Sequence, residues 1–174
     1  MIDFLKILIE YFQKNNIAYM LSSSVALSIY SLPRFTRDFE FVVQLQPKDV
    51  RPLMESFKEG YYCDEEAVKE AIKNKGMFNI IDHKSGYKAD LIILKDEPYR
   101  LAEFERRNPV AFLNSQIYLV SPEDLIISKL IWIQQSHSSL QMEDIKSLLE
   151  LKDLDTAYIR KWITALKIST FNLL

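Results

Sequence analysis

Hydrophobic and polar positions follow two periods along this chain. In residues 3–14, Phe4, Leu5, Leu8, Ile9 and Phe12 recur at helical spacing, with Asp3, Lys6 and Glu10 between them. That predicts an amphipathic helix, which Asn15-Asn16 break. Ile17 to Leu21 reads as a short buried strand. Ser22 or Ser23 can cap a helix reaching about Tyr30, and Pro33 ends the turn after it. Residues 38–45 read as a strand. Pro47 opens a helix through about Lys58, which Gly60 terminates. Tyr61-Tyr62 is a short strand and residues 64–74 a charged helix. Residues 77–82 and 88–94 form a hairpin around Lys84-Ser85-Gly86. A helix over 97–106 precedes two short strands, 110–113 and 116–120, around Asn114-Ser115. From Ser121 the period becomes helical. Ser121 is a cap, Pro122 sits at the first helical position and Asp124 at the third. Helices near 122–135, 140–151 and 155–167 complete the pattern. The expected fold is α+β: a mixed β-sheet flanked by helices over residues 1–120, with a C-terminal helical section, 121–174, packed on it.

Composition narrows the function classes. The 174 residues fit one domain or a domain with a helical appendage, and 48% hydrophobic content suffices for a packed core. The net charge of −2 gives no global attraction to nucleic acid. Arg100, Arg106 and Arg107 form the only local basic cluster, and it reads more simply as a solvated helix face. A single cysteine, Cys63, excludes an intrachain disulfide and fits a reducing cytoplasm. His83 and His137 have no companions at zinc-ligand spacing. No apolar run approaches the roughly 20 residues of a membrane helix, and charges interrupt the N-terminal apolar stretch. A cytoplasmic, soluble protein with no membrane partner is expected.

The candidate chemistry lies in Pro33-Arg34-Phe35-Thr36-Arg37-Asp38-Phe39-Glu40-Phe41-Val42-Val43. Residues i and i+2 of a strand share a face, which places the carboxylates of Asp38 and Glu40 side by side, about 7 Å apart along the strand. Alone, alternating acids are an ordinary solvated face. Asp90 changes that reading, because it sits inside the apolar run Ala89-Asp90-Leu91-Ile92-Ile93, where a carboxylate needs a cation or a basic partner. Three acids suit one or two hard divalent ions, Mg²⁺ or Mn²⁺. Ser23 and Ser24 open a helix, where phosphate binds; ordinary capping is the alternative for Ser24. Arg34 suits phosphate or acceptor, or an acid nearby. Lys129 has only apolar neighbours at three and four residues: Leu125, Ile126, Trp132 and Ile133. It either snorkels out of the core-facing stripe or reaches a phosphate. Asp144 is a further candidate, with a solvated helix face as the simpler reading. Tyr11, Phe12, Trp132 and Trp162 sit at helical spacing and read as core.

In this order these pieces resemble the nucleotidyltransferase-fold proteins, the superfamily of DNA polymerase β, and within it the AbiEii-type bacterial toxins and their relatives. Ser23-Ser24 stands at that family's Gly-Gly or Gly-Ser. Ser31-Leu32-Pro33-Arg34-Phe35-Thr36 stands at its Gly-x-Pro-Arg-x-Thr turn, Asp38-Phe39-Glu40 at its Asp-x-Asp, and Asp90 at its third acid. Lys129 matches a helix lysine, and Gln141-Met142-Glu143-Asp144-Ile145 an acidic segment after it. The likeness runs from about residue 18 to residue 150. Ser23 and Ser31 depart from it by replacing glycines, and Glu40 by replacing an aspartate. The resemblance implies a Mg²⁺-dependent transfer of a nucleotide from NTP to a hydroxyl, with Asp38, Glu40 and Asp90 as catalytic metal ligands. It implies nucleotide binding by Ser23, Ser24, Arg34, Thr36 and Lys129. The acceptor is left open between an RNA end, a protein and a small molecule, and a toxin–antitoxin setting would add an antitoxin partner. A non-catalytic module that binds a nucleotide or a protein is the alternative.

Overall fold

The structure, a computed structural model, describes every residue except Met1, Leu32, Arg34, Phe35, Leu113, Asn114 and His137. In chain order the elements are α1 (Ile2–Lys14), β1 (Tyr19–Ser22), α2 (Ser23–Tyr30) and β2 (Asp38–Val43). A 3-10 turn at Pro47–Asp49 leads into α3 (Val50–Ser56), β3 (Tyr61–Tyr62) and α4 (Glu65–Asn74). Then come β4 (Met77–Asp82), β5 (Lys88–Ile93), α5 (Pro98–Glu105), β6 (Asn108–Phe112) and β7 (Ser115–Leu119). Helices α6 (Pro122–Ile133), α7 (Ser139–Leu149) and α8 (Thr156–Leu166) follow. The strands form one mixed sheet in the order β3-β4-β5-β2-β1-β7-β6. The β2–β5 and β1–β7 pairs are parallel; the other neighbours are antiparallel.

Sequence alternation in β2 divides the molecule into two cores. Phe39, Phe41 and Val43 face α1, α3 and α4, where they pack with Phe4, Leu8, Phe12, Leu53 and Val68. Aromatic contacts dominate this side: Phe12 meets Tyr19 and Phe41 at centroid distances of 5.2 and 5.3 Å. Asp38, Glu40 and Val42 face the other way. There Met20, Ala26 and Leu27 pack with Leu125, Ile126 and Leu130 of α6, Ile145 and Leu148 of α7, and Ile159 of α8. The acids of β2 therefore lie on the face covered by the C-terminal helices.

Local geometry moves several element ends from their expected places. β1 begins at Tyr19 rather than Ile17, because the Ile17 N–H donates to the Phe12 carbonyl and closes α1 beyond a left-handed Asn16 (φ 53°). The single helix expected over 47–58 is a 3-10 turn followed by a shorter α-helix. Pro47 and the Asp49 carboxylate, which accepts the Gln46 N–H at 2.8 Å, fix a tight first turn. Gly60, at φ +82°, supplies the left-handed residue that turns the chain into β3.

The three arginines form neither a solvated face nor a free basic patch. Arg100 pairs with Glu103 at 2.7 Å, and Arg107 lies over the rings of Phe104 and Tyr118. Arg106 bonds Asp124 and Glu123, both at 3.2 Å, while stacking on Tyr158 at 3.9 Å. Asp124 is fully buried and also accepts from the hydroxyls of Ser121 (2.7 Å) and Tyr158 (2.8 Å). One carboxylate thus joins α5, α6 and α8. Asp124→Ala strands these donors. It should destabilise the protein by about 2–3 kcal/mol, read by chemical denaturation, since Arg106 keeps partial access to water.

Candidate active site

Strand register assembles the acids. Ser22 of β1 lies opposite Glu40 of β2, Glu40 opposite Asp90 of β5, and Asp90 opposite Asn79 of β4. Asp38 lies opposite Lys88. All three acids share one face, with Glu40 and Asp90 side by side on parallel neighbours. Asp38 is half exposed, whereas the Asp90 side chain is only 13% exposed. The Asp90 carboxylate is held on both oxygens. Asn79 donates to Oδ1 at 3.4 Å, and Lys88 Nζ lies 2.9 Å from Oδ2. The same ammonium lies 3.9 Å from Asp38. Its hydrogen bond to Asp90 raises the Lys88 pKa above the ordinary lysine range despite partial burial, and Asp38 and Glu40 add to the effect.

The donor set suits a hard divalent ion in kind: three carboxylates on one face of a rigid sheet. Among the described residues no three acids close up on one point as a ready-made ligand cluster. An ammonium stands between two of them instead. Cys63 offers no alternative chemistry, because burial pushes its thiol up to about 11.

Helix α2 starts across the strand from Glu40. Ser22 caps it in extended conformation, with no side-chain hydrogen bond closing the first turn. Ser23, the next residue, has φ +58°, in the left-handed region that favours glycine. The backbone shape of a glycine turn is thus kept without glycine. Ser24 is half-buried in the first turn of α2, and its carbonyl accepts the Ser28 hydroxyl at 2.8 Å. The Thr36 hydroxyl donates to the Asp38 carbonyl at 3.1 Å and accepts the Asp38 N–H at 3.2 Å, fixing the start of β2. Arg34 lies outside the described residues.

Lys129 does not snorkel. It is 5% exposed, and its ammonium bonds Asp144 at 2.8 Å and Gln141 at 2.7 Å. Asp144 is buried too, rather than on a solvated helix face, because the charge of Lys129 draws it inward from α7. Lys129 and Gln141 line a cavity of about 110 Å³ with Ser22, Ser23 and Glu40. A second cavity, about 290 Å³, shares Ser22, Glu40, Ser128 and Trp132 with the first and continues beneath Val42, Ile92, Leu94 and Ile131. Its polar wall is Arg100, Glu103 and Ser128; Arg100 donates to Ser128 at 2.9 Å, and the Ser128 hydroxyl bonds Glu103 at 2.5 Å. Burial raises the Glu103 pKa, and Arg100 opposes that rise. Glu40 lines both cavities; Asp38 and Asp90 lie outside both linings.

Trp132, expected in the core, is 49% exposed and forms the rim shared by the two cavities. Its helical spacing fits the core stripe, but it borders the open space beside Glu40 and Val42. Lys88 went unread, although its alternation with Asp90 in Lys88-Ala89-Asp90 already puts it on the acid face. Ser128 and Gln141 carry no sequence signal of their own.

Two stability tests follow from this geometry. Ser23→Gly should stabilise the protein by roughly 1 kcal/mol in denaturant melts, because glycine bears no left-handed penalty. Lys129→Met should destabilise it by about 3–5 kcal/mol, because it removes the buried ammonium held 2.8 Å from Asp144. The double change Lys129→Met with Asp144→Leu should recover most of that loss.

No protein-family model matches the chain, and no curated protein matches it in sequence. Solved structures do match in fold. ANT(2'')-Ia, described as an antibiotic-resistance factor, superposes with a TM-score of 0.63 at 11% identity, covering 94% of this chain and 89% of that one. The same enzyme with adenylyl-2''-tobramycin also gives 0.63, at 12% identity and 94% of each chain. The lincosamide antibiotic adenylyltransferase LnuA, bound to lincomycin, gives 0.57 at 12% identity, covering 84% and 94%. An antigenic nucleotidyltransferase-like protein from Paracoccidioides brasiliensis gives 0.57 at 15% identity, covering 92% and 84%. The chain has a nucleotidyltransferase-like fold.

Proposed function

We propose that this chain is a Mg²⁺- or Mn²⁺-dependent nucleotidyltransferase that moves a nucleotide from NTP to a hydroxyl. One observation carries the reading. Glu40 and Asp90 sit directly opposite each other on parallel strands, on the face of Asp38 and across from the start of α2. Asp38, Glu40 and Asp90 would hold the divalent ion, which lowers the charge barrier to attack on a polyphosphate when bound. The start of α2 at Ser23 and Ser24 faces phosphate with its backbone N–H groups. Lys129, positioned by Asp144 and Gln141, would offer that wall an N–H donor for a phosphate oxygen. In the reaction the acceptor oxygen bonds the α-phosphorus. The bond from that phosphorus to the bridging oxygen breaks, and pyrophosphate leaves. Asp90 takes the acceptor proton.

A small hydroxyl compound suits this site better than an RNA end or a protein. The cavity beside Glu40 is compact and largely apolar-walled, with Trp132 at its rim. The arginines that could track a polynucleotide are engaged in ion pairs and ring contacts. Among the structural neighbours, LnuA holds lincomycin and ANT(2'')-Ia holds adenylyl-2''-tobramycin. A toxin–antitoxin setting, with an antitoxin partner, rests on the AbiEii resemblance alone. Among the described residues no helix is long and apolar enough to cross a membrane.

The non-catalytic alternative has one observation in its favour: Lys88 already neutralises part of the acid cluster. Label transfer separates the two readings. Wild type with radioactive NTPs, Mg²⁺ and a pooled extract of small molecules should yield a labelled product. Asp38→Ala should lose it by about a hundredfold or more, with the melting curve retained. Expression of wild type, but not of Asp38→Ala, should slow growth if the toxin setting holds. No labelled product from wild type with any NTP favours the module.

A further inference from the structure

The ammonium of Lys88 stands where a cation bridging two of the acids would stand. It lies 2.9 Å from Asp90 and 3.9 Å from Asp38. Strand geometry makes this a fixed arrangement. Lys88 is two residues before Asp90 on the same face of β5, and its Cα pairs with that of Asp38 across the parallel ladder. Its side chain is about one-third exposed, and the acids flank it from both strands. We propose that Lys88 is the second cation of this site, so that the chain takes one divalent ion with its nucleotide rather than two. The inference rests on the metal-dependent reading above.

Three considerations support it. The first is charge. Three carboxylates and one ammonium leave two units of negative charge, which one divalent ion cancels. A second ion would meet the ammonium at close range, with only the nucleotide's phosphates left to offset the two together. The second is the occupancy of lone pairs. Asp90 is engaged on both oxygens, by Asn79 and by Lys88. Among the described residues Asp38 and Glu40 accept no side-chain hydrogen bond, so they meet the single ion most freely, with Asp90 completing its acid ligands. The third is pairing geometry. Lysine is a compact point charge with three donors, so it can serve Asp90 and Asp38 together.

Electron paramagnetic resonance of bound Mn²⁺ tests this without any turnover. The probe is Mn²⁺ with a non-hydrolysable α,β-methylene ATP, added to the full chain. Wild type should bind one Mn²⁺ per chain and show the spectrum of an isolated ion. Lys88→Met should bind two and show a spin-coupled pair, because the vacated position between Asp38 and Asp90 then admits a second ion. Lys88→Arg should keep the isolated spectrum, since it preserves the charge, and Lys88→Gln, which removes it, should show the coupled pair if Lys88→Met does not fold. A coupled pair in wild type overturns the proposal, as does one isolated ion in both wild type and Lys88→Met. Absence of bound Mn²⁺ from wild type and from every variant overturns the metal-dependent reading itself, and this inference with it. The two failures are therefore separable.

Discussion

The two-residue period of β2 is the constraint on which the rest of this structure depends. Phe39, Phe41 and Val43 are buried against α1 and α3, so Asp38, Glu40 and Val42 must face the C-terminal helices. A carboxylate cannot be covered by an apolar helix without a large desolvation cost. Along β2 the problem resolves as a gradient. Asp38 is exposed, Glu40 is half-buried, and Val42 packs beneath the helices. The cleft opens where that gradient passes from charge to hydrocarbon. Glu40 is therefore at once the last polar residue of the strand and the wall shared by both cavities.

The helices that roof this face are placed by buried charge as much as by hydrocarbon. Lys129 ties α6 to α7 through Asp144, and Asp124 ties α6 to α5 and α8. Such pairs add little net stability, because desolvation offsets most of the attraction. Their consequence here is geometric. A Leu- and Ile-rich helix such as α6 could pack in several rotations about its axis. Only one of them brings Lys129 to Asp144 and Asp124 to Tyr158 together. That rotation also brings Ser128 and Trp132 to the cleft.

Much of this was legible in the sequence, and the exceptions have particular causes. The two-residue period gave Asp38 and Glu40 their common face, and Ser121-Pro122 gave the start of α6. Those are local facts, set by the period of one strand or the first turn of one helix. Asp144 looked solvated because its own helix neighbours are mixed; its burial depends on Lys129, fifteen positions away. Trp132 looked like core because α6 is apolar on nearly every side, but it stands at the cavity rim beside Glu40 and is half exposed. Arg106 looked free because its acids, Glu123 and Asp124, lie on α6, whose docking no local pattern encodes; the Arg100–Glu103 pair is local to α5. Asp144 and Arg106 each needed a partner from another element.

Ser23 shows how far a backbone requirement can outlast the residue that usually meets it. A left-handed residue between β1 and α2 lets the strand turn directly into the helix, so that the first N–H groups of α2 face the acid row. Serine can occupy that region only at a cost of roughly 1–3 kcal/mol. The cost persists because the neighbours over-determine the turn. Leu21 is locked in the sheet opposite Phe41, and Ala26 and Leu27 are locked in the second core. A chain under pressure only for stability would relax this turn or restore glycine. The retained turn places Ser23 and Glu40 on the wall of one cavity. The strain and the acids therefore belong to one site. The fold fixes that site's position through β2, and its chemistry depends on which cations the acids admit beside Lys88.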